Sequence, residues 1–151
     1  MLRQRLNDEL KAAMKSRDQR ATSTLRLILA ALKDRDIAAR PRGVTDGVDE
    51  AEIIDMLQKM VRQRQESIEL YKKGNRPELV AQEQGEIEMI ERFLPQKMSE
   101  TETVQAIQTV IGELGATTIK DMGRVMAALK ERYSGRMDFG KVGQQVKQKL
   151  G

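Results

Sequence analysis

The stretch from Asp49 to Gly74, DEAEIIDMLQKMVRQRQESIELYKKG, decides the fold. Ile53, Leu57, Met60, Val61, Ile68 and Tyr71 recur at helical spacing, which marks one buried face on a long helix. Asp49 supplies an N-cap oxygen, and Glu52 is placed to complete a capping box. Gly74 is a natural C-terminal stop. Asn75-Arg76-Pro77 then opens a second helix, because proline fits the first turn, where its missing N–H costs nothing. Leu79, Val80, Ile87, Ile90 and Leu94 form the apolar face of that helix, and Pro95 stops it. The short Lys73-Gly74-Asn75 connection folds the two into an antiparallel hairpin.

Helical periodicity continues on both sides of this hairpin. Leu2, Leu6, Leu10 and Ala13 give a first amphipathic stripe. A second helix begins near Asp18, with Ala21, Leu25, Ile28, Leu29 and Leu32 on one face and Leu27 opposite. Apolar residues on two sides predict a helix central in its bundle. Arg40 to Gly47 reads as a loop from its proline and glycines.

Past Pro95, Ser99 with Glu102 and Thr118 with Asp121 are two further capping boxes. They open helices carrying Val104, Ile107, Ile111 and Leu114, then Met122, Val125, Met126, Leu129 and Tyr133. Asp138 caps a last helix with Phe139, Val142, Val146 and Leu150 inward. Gly123 and Gly140 weaken their helices unless something must approach closely, and packing between helices is the expected reason. The fold class is therefore all-α. Residues 1–95 form a four-helix N-terminal domain with the long hairpin, 96–99 a linker, and 100–151 a three-helix C-terminal domain.

Composition excludes much chemistry. The chain has 151 residues with no cysteine and no histidine. No disulfide, thiol nucleophile or Ser-His-Asp arrangement is available, and a conventional zinc site is ruled out. Neither a phosphate-binding glycine loop nor a dinucleotide fingerprint occurs, so no catalytic residue, metal or cofactor is expected. With aromatics at 3%, the core must be aliphatic. No apolar run is long enough to span a bilayer and no secretory signal is evident, so the expectation is a cytoplasmic protein away from membranes.

Two polar groupings remain. Arg64 falls within the apolar stripe of the hairpin's first helix, and Glu83 and Glu86 fall within that of the second. Counted back and forward from the Gly74 turn, the three sit at similar heights. Charges on a core face are costly unless paired, so Arg64 should clasp Glu83, Glu86 or both and fix the hairpin register. A ligand or metal pocket between the helices is the alternative. The second grouping is basic. Lys120 to Gly151 holds eight basic and three acidic residues, whereas Met1 to Pro95 holds 18 and 17. Lys120, Arg124, Arg136 and Lys141 are the candidates for phosphate contacts. Lacking stacking aromatics, such a surface would read a nucleic-acid backbone rather than its bases.

The same residues carry a family resemblance. Leu6-Asn7-Asp8-Glu9-Leu10-Lys11-Ala12-Ala13-Met14-Lys15, Thr24-Leu25-Arg26-Leu27, Ala30-Ala31-Leu32-Lys33, Arg62-Gln63-Arg64-Gln65-Glu66-Ser67 and Phe93-Leu94-Pro95-Gln96 resemble the YqeY-like family. Asp121-Met122-Gly123-Arg124-Val125-Met126 and Gly135-Arg136-Met137-Asp138-Phe139-Gly140-Lys141-Val142 are similar to the tail domain that this family shares with the B subunit of tRNA-dependent amidotransferases. The resemblance implies a paired all-helical fold and a non-catalytic helper that binds tRNA or a tRNA-bearing complex. It also leaves open a part in glutamine-dependent amide transfer alongside other subunits, though no amidase or ATP-binding segment matches. A scaffold that binds a protein partner through the first four helices is the third reading.

Overall fold

The computed structural model describes residues Met1 to Gly151 and is helical throughout. It divides into two units, Met1–Leu94 and Pro95–Gly151, each with its own apolar core.

The first unit holds α1 (Leu2–Lys15), α2 (Gln19–Ala39), a single 3₁₀ turn (Arg40–Arg42), α3 (Glu50–Lys73) and α4 (Pro77–Glu91). Asp18 caps α2 by accepting from the Ala21 amide at 3.0 Å. Asp49 caps α3 by accepting from the Glu52 amide at 2.9 Å. The capping box expected at α3 stays half-made, because the Glu52 carboxylate turns to Arg42 at 3.5 Å and Arg35 at 3.9 Å. Two guanidinium groups outcompete one backbone N–H.

The hairpin turn stops α3 at Gly74, with a φ of −84°, as its sequence reading has it, and the left-handed residue of the turn is Asn75, at +55°. Asparagine tolerates that region because its short polar side chain bonds locally. The Arg76 amide reaches back to the Tyr71 carbonyl at 2.9 Å, which closes the turn.

Leu6, Leu25, Ile28, Leu32, Leu57 and Ile90 form the fully buried centre of this unit. Met56 and Phe93 join them, outside the stripes read from sequence. Leu27 does not: it is 49% exposed. α2 packs against α1, α3 and α4, as a central helix of the bundle does, yet its Leu27 side stays uncovered.

In the second unit come α5 (Glu100–Leu114), a 3₁₀ turn (Ile119–Asp121), α6 (Met122–Tyr133) and α7 (Phe139–Leu150). Ser99 and Glu102 make a reciprocal capping box on α5, and Gly115 ends it at a φ of +61°. Asp121 accepts from the Thr117 and Thr118 amides at 3.0 and 3.3 Å. That arrangement opens the 3₁₀ turn, and α6 proper starts one residue later. Asp138 caps α7 through the Gly140 amide at 3.1 Å. Ile107, Val110, Val125, Leu129, Val142 and Val146 fill the core.

The stretch 96–99 is fastened to this unit. Arg136 Nε donates to the Gln96 carbonyl at 3.0 Å, and the Met98 amide donates to the Arg136 carbonyl at 3.0 Å.

Candidate nucleic-acid interface and the hairpin clasp

The hairpin brings Arg64 on α3 against Glu86 on α4. Arg64 Nε donates to Glu86 Oε2 at 2.8 Å, and both side chains are only 14% exposed. Arg64 Nη1 also donates to the Met60 carbonyl one turn back, at 3.1 Å. Two directed bonds hold the guanidinium flat along its own helix, which ties α3 and α4 at one register. Glu83 makes no bond to Arg64. Burial, and then repulsion by the Glu86 carboxylate, push the Glu83 carboxyl above its ordinary range, while Arg64 draws it down. The two glutamates are thus unequal: one is bonded to the cation, the other is penalised by burial and by its neighbour's charge.

Beside this clasp a cleft of about 580 Å³ opens between the N-terminal half of α2 and α4. Ser23, Thr24, Gln82, Gly85 and Glu86 line it. A methyl group built at Gly85 would meet no atom within 4 Å.

A second polar assembly in this unit spans α1, α2 and the loop before α3. Arg3 donates both terminal nitrogens to Asp36, at 2.8 and 3.0 Å, and one of them also to the Val48 carbonyl at 3.2 Å. Asp36 in turn accepts from the Val48 amide at 2.9 Å. The Arg3 bonds, with the Val48 amide adding, hold the Asp36 carboxyl below its usual range. No motif announces this assembly. Its members stand 12 to 45 residues apart, and only the closure of the loop joins them.

The four basic candidates of the second unit fall into two kinds. Lys120, in the 3₁₀ turn, and Lys141, in the first turn of α7, are exposed and outside every ion pair. Arg124 bonds Asp121 at 2.9 Å, yet its side chain stays 59% exposed. Arg136 is half-buried and committed to the Gln96 carbonyl. Arg132, outside the candidate set, is taken by Glu113 at 2.7 Å. The 3₁₀ turn that carries Lys120 packs on both α6, which carries Arg124, and α7, which carries Lys141. α7 itself carries Lys141, Lys147 and Lys149, all exposed, and no acidic residue.

The glycines here correct a sequence expectation. Packing between helices accounts for Gly143, whose absent side chain would sit 3.8 Å from the Met122 and Met126 methyls. It does not account for Gly123, where nothing lies within 4 Å, nor for Gly140, where only the Asp138 carboxylate is near, at 3.3 Å. Both glycines are exposed and leave bare helix backbone among the cations.

An all-helical chain of two separate cores, with its excess cations displayed on the smaller unit, is the class of protein that the geometry defines. The chain belongs to the YqeY-like family, whose model matches residues 3–150. It is also similar to altered inheritance of mitochondria protein 41, mitochondrial, from Saccharomyces cerevisiae. That match is 30% identical over 129 residues, covering 80% of this chain and 68% of the relative. The protein of the same name from Lachancea thermotolerans is 34% identical over 111 residues, covering 72% of this chain and 57% of the relative. The one from Eremothecium gossypii is 34% identical over 89 residues, covering 59% and 46%. No helix of the structure is long and apolar enough to cross a membrane.

Proposed function

We propose that the second unit binds the phosphate backbone of RNA, with tRNA as the substrate class that the tail-domain resemblance implies. One observation carries the reading: Lys120, Lys141, Lys147 and Lys149 are exposed and unpaired on a unit whose stretch from Lys120 onward has a balance of +5. Cations without internal partners are free to neutralise phosphates and release condensed counterions. Lys120 and Lys141 lead, Arg124 follows by exchanging Asp121 for a phosphate, and Arg136, held by the Gln96 carbonyl, has the least left to give. Open backbone at Gly123 supports the same reading. Gly123 is the second residue of α6, and no internal contact fills the space beside it. A close-lying partner would use the space.

The compartment we propose is a cytoplasm or the mitochondrion that the Saccharomyces cerevisiae relative's name denotes.

The test is fluorescence anisotropy with labelled tRNA at about 50 and 200 mM salt. Binding should weaken steeply between the two. Lys120→Glu with Lys141→Glu should lower affinity at least about tenfold and flatten the salt slope by roughly two phosphate contacts. An affinity insensitive to salt, or unchanged in the double variant, removes the proposal.

A further inference from the structure

The outer face of α2 is left uncovered by the chain's own fold. Its inner face, Leu25, Ile28 and Leu32, is buried. Its outer face carries Leu27 at 49% and Ile37 at 47% exposure, with Ala30 and Ala38 exposed between and beside them. Apolar side chains gathered on one exposed stripe are a candidate contact surface, whereas singly scattered ones need no explanation.

The stripe has an order. Leu27 and Asp34 stand seven residues apart, and Ser23, Ala30 and Ile37 repeat at the same interval. These are the two seam positions of a heptad. Arg26 and Lys33, again seven apart, line one edge of that seam. Both are exposed and neither enters an ion pair, although Arg35 and Asp36 on the inner side of the same helix are both engaged. From Ser23 to Ile37 the surface runs about 21 Å, two heptads of helix.

We propose that this face docks an acidic amphipathic helix of another protein. Apolar residues of that helix cover Leu27, Ala30 and Ile37, its Asp or Glu side chains line the edge against Arg26 and Lys33, and one basic residue stands opposite Asp34. Charge complementarity selects this occupant. A second copy of the chain is disfavoured in both orientations. Antiparallel pairing sets each edge against itself, so Arg26 meets Lys33 of the other copy. Parallel pairing stacks Asp34 on Asp34 in the seam. A nucleic acid is disfavoured because Leu27 and Ile37 gain nothing from phosphates and no aromatic on this face could stack a base.

The test uses two synthetic helical peptides of about 21 residues, a length matched to α2. Both carry the same leucine seam with one lysine placed to face Asp34. One has glutamate at the flanking positions, the other lysine. Each is fluorescently labelled and titrated with the full chain in about 150 mM salt. The acidic peptide should bind at least about tenfold more tightly than the basic one. Arg26→Glu with Lys33→Glu should invert that preference. Leu27→Asp should weaken the acidic peptide about tenfold or more, with circular dichroism unchanged because the site is exposed. Lys120→Glu with Lys141→Glu should leave it unchanged, which separates this surface from the proposed RNA site. Failure of both peptides to bind up to about 1 mM overturns the proposal. So does a preference that survives the Arg26/Lys33 swap, or one lost with Lys120 and Lys141. Self-association in sedimentation that disappears in Leu27→Asp would hand the face to a second copy and overturn it equally.

Discussion

The two units use charge in opposite ways. In Met1–Leu94, Arg3, Arg35, Arg42 and Arg64 all answer to carboxylates, and two of these assemblies are shielded enough to act as fasteners. In Pro95–Gly151, the ion pairs are two exposed arginine links, and the lysines answer to nothing. The larger unit ties its helices together with four of its arginines, and the smaller one leaves its lysines free. The difference teaches where to look for contact with other molecules, since a charge already satisfied has little left to offer a ligand. Arg26 and Lys33 on α2 are informative because, exposed and outside every ion pair, they flank an uncovered apolar seam.

The comparison stands first on each unit owning a core. Leu57 and Leu129 are both fully buried, one in each. Leu57→Ala and Leu129→Ala should each cost about 2–5 kcal/mol, depending on how far the cavity relaxes. Residue-resolved hydrogen exchange should place each loss within the unit that carries the substitution. Loss of protection spread evenly over both units would dissolve the distinction.

The charges themselves come next. Arg64→Ala leaves the shielded Glu86 without its partner and should destabilise the first unit by about 1–3 kcal/mol in urea unfolding. Replacing both partners, Arg64→Met with Glu86→Leu, should recover most of that, because nothing charged is then stranded. Lys120→Glu in the second unit should change stability by less than about 0.5 kcal/mol. Equal costs at Arg64 and Lys120 would remove the contrast.

Much of this was legible in the sequence. Caps at Asp18, Asp49, Ser99 and Asp138, the Pro77 helix start and the apolar periods lay out the seven helices, because capping and amphipathicity are local. The meeting of Arg64 with the α4 glutamates could be counted from the turn, since a hairpin is nearly local too. Which glutamate would take Arg64 could not, because side-chain reach decides it. The Arg3–Asp36–Val48 assembly and the bond from Arg136 to Gln96 were illegible, since tertiary closure alone brings those residues together. Leu27 was misread because periodicity marks apolar positions without saying whether the chain itself covers them.

Two acids in the first unit give a finer test, because their shifts have opposite signs. Asp36 is held below its usual range by the Arg3 bonds first and the Val48 amide next. Its contribution is complete above the ordinary aspartate value, about 3.9, and is lost as pH falls through the lower folded one. Asp36→Asn should therefore cost about 1–2 kcal/mol at pH 7 and progressively less in acid. It should also raise exchange at the Val48 amide.

Glu83 runs the other way. Burial, then Glu86, raise its folded value, so the folded chain holds that proton more tightly than the unfolded chain does. The stabilisation this gives is present in acid and lost as pH rises from the ordinary glutamate value, about 4.3, through the raised one. Above that window the folded state carries an ionised carboxylate it would rather protonate. Glu83→Gln removes that penalty, so the variant should be slightly more stable than the parent at pH 7. The gap should close as pH drops below about 4, where the parent is protonated as well. Urea midpoints measured across this range read the sign directly. A variant less stable than the parent at pH 7 would mean that attraction to Arg64 outweighs burial, and Glu83 would then share the clasp with Glu86.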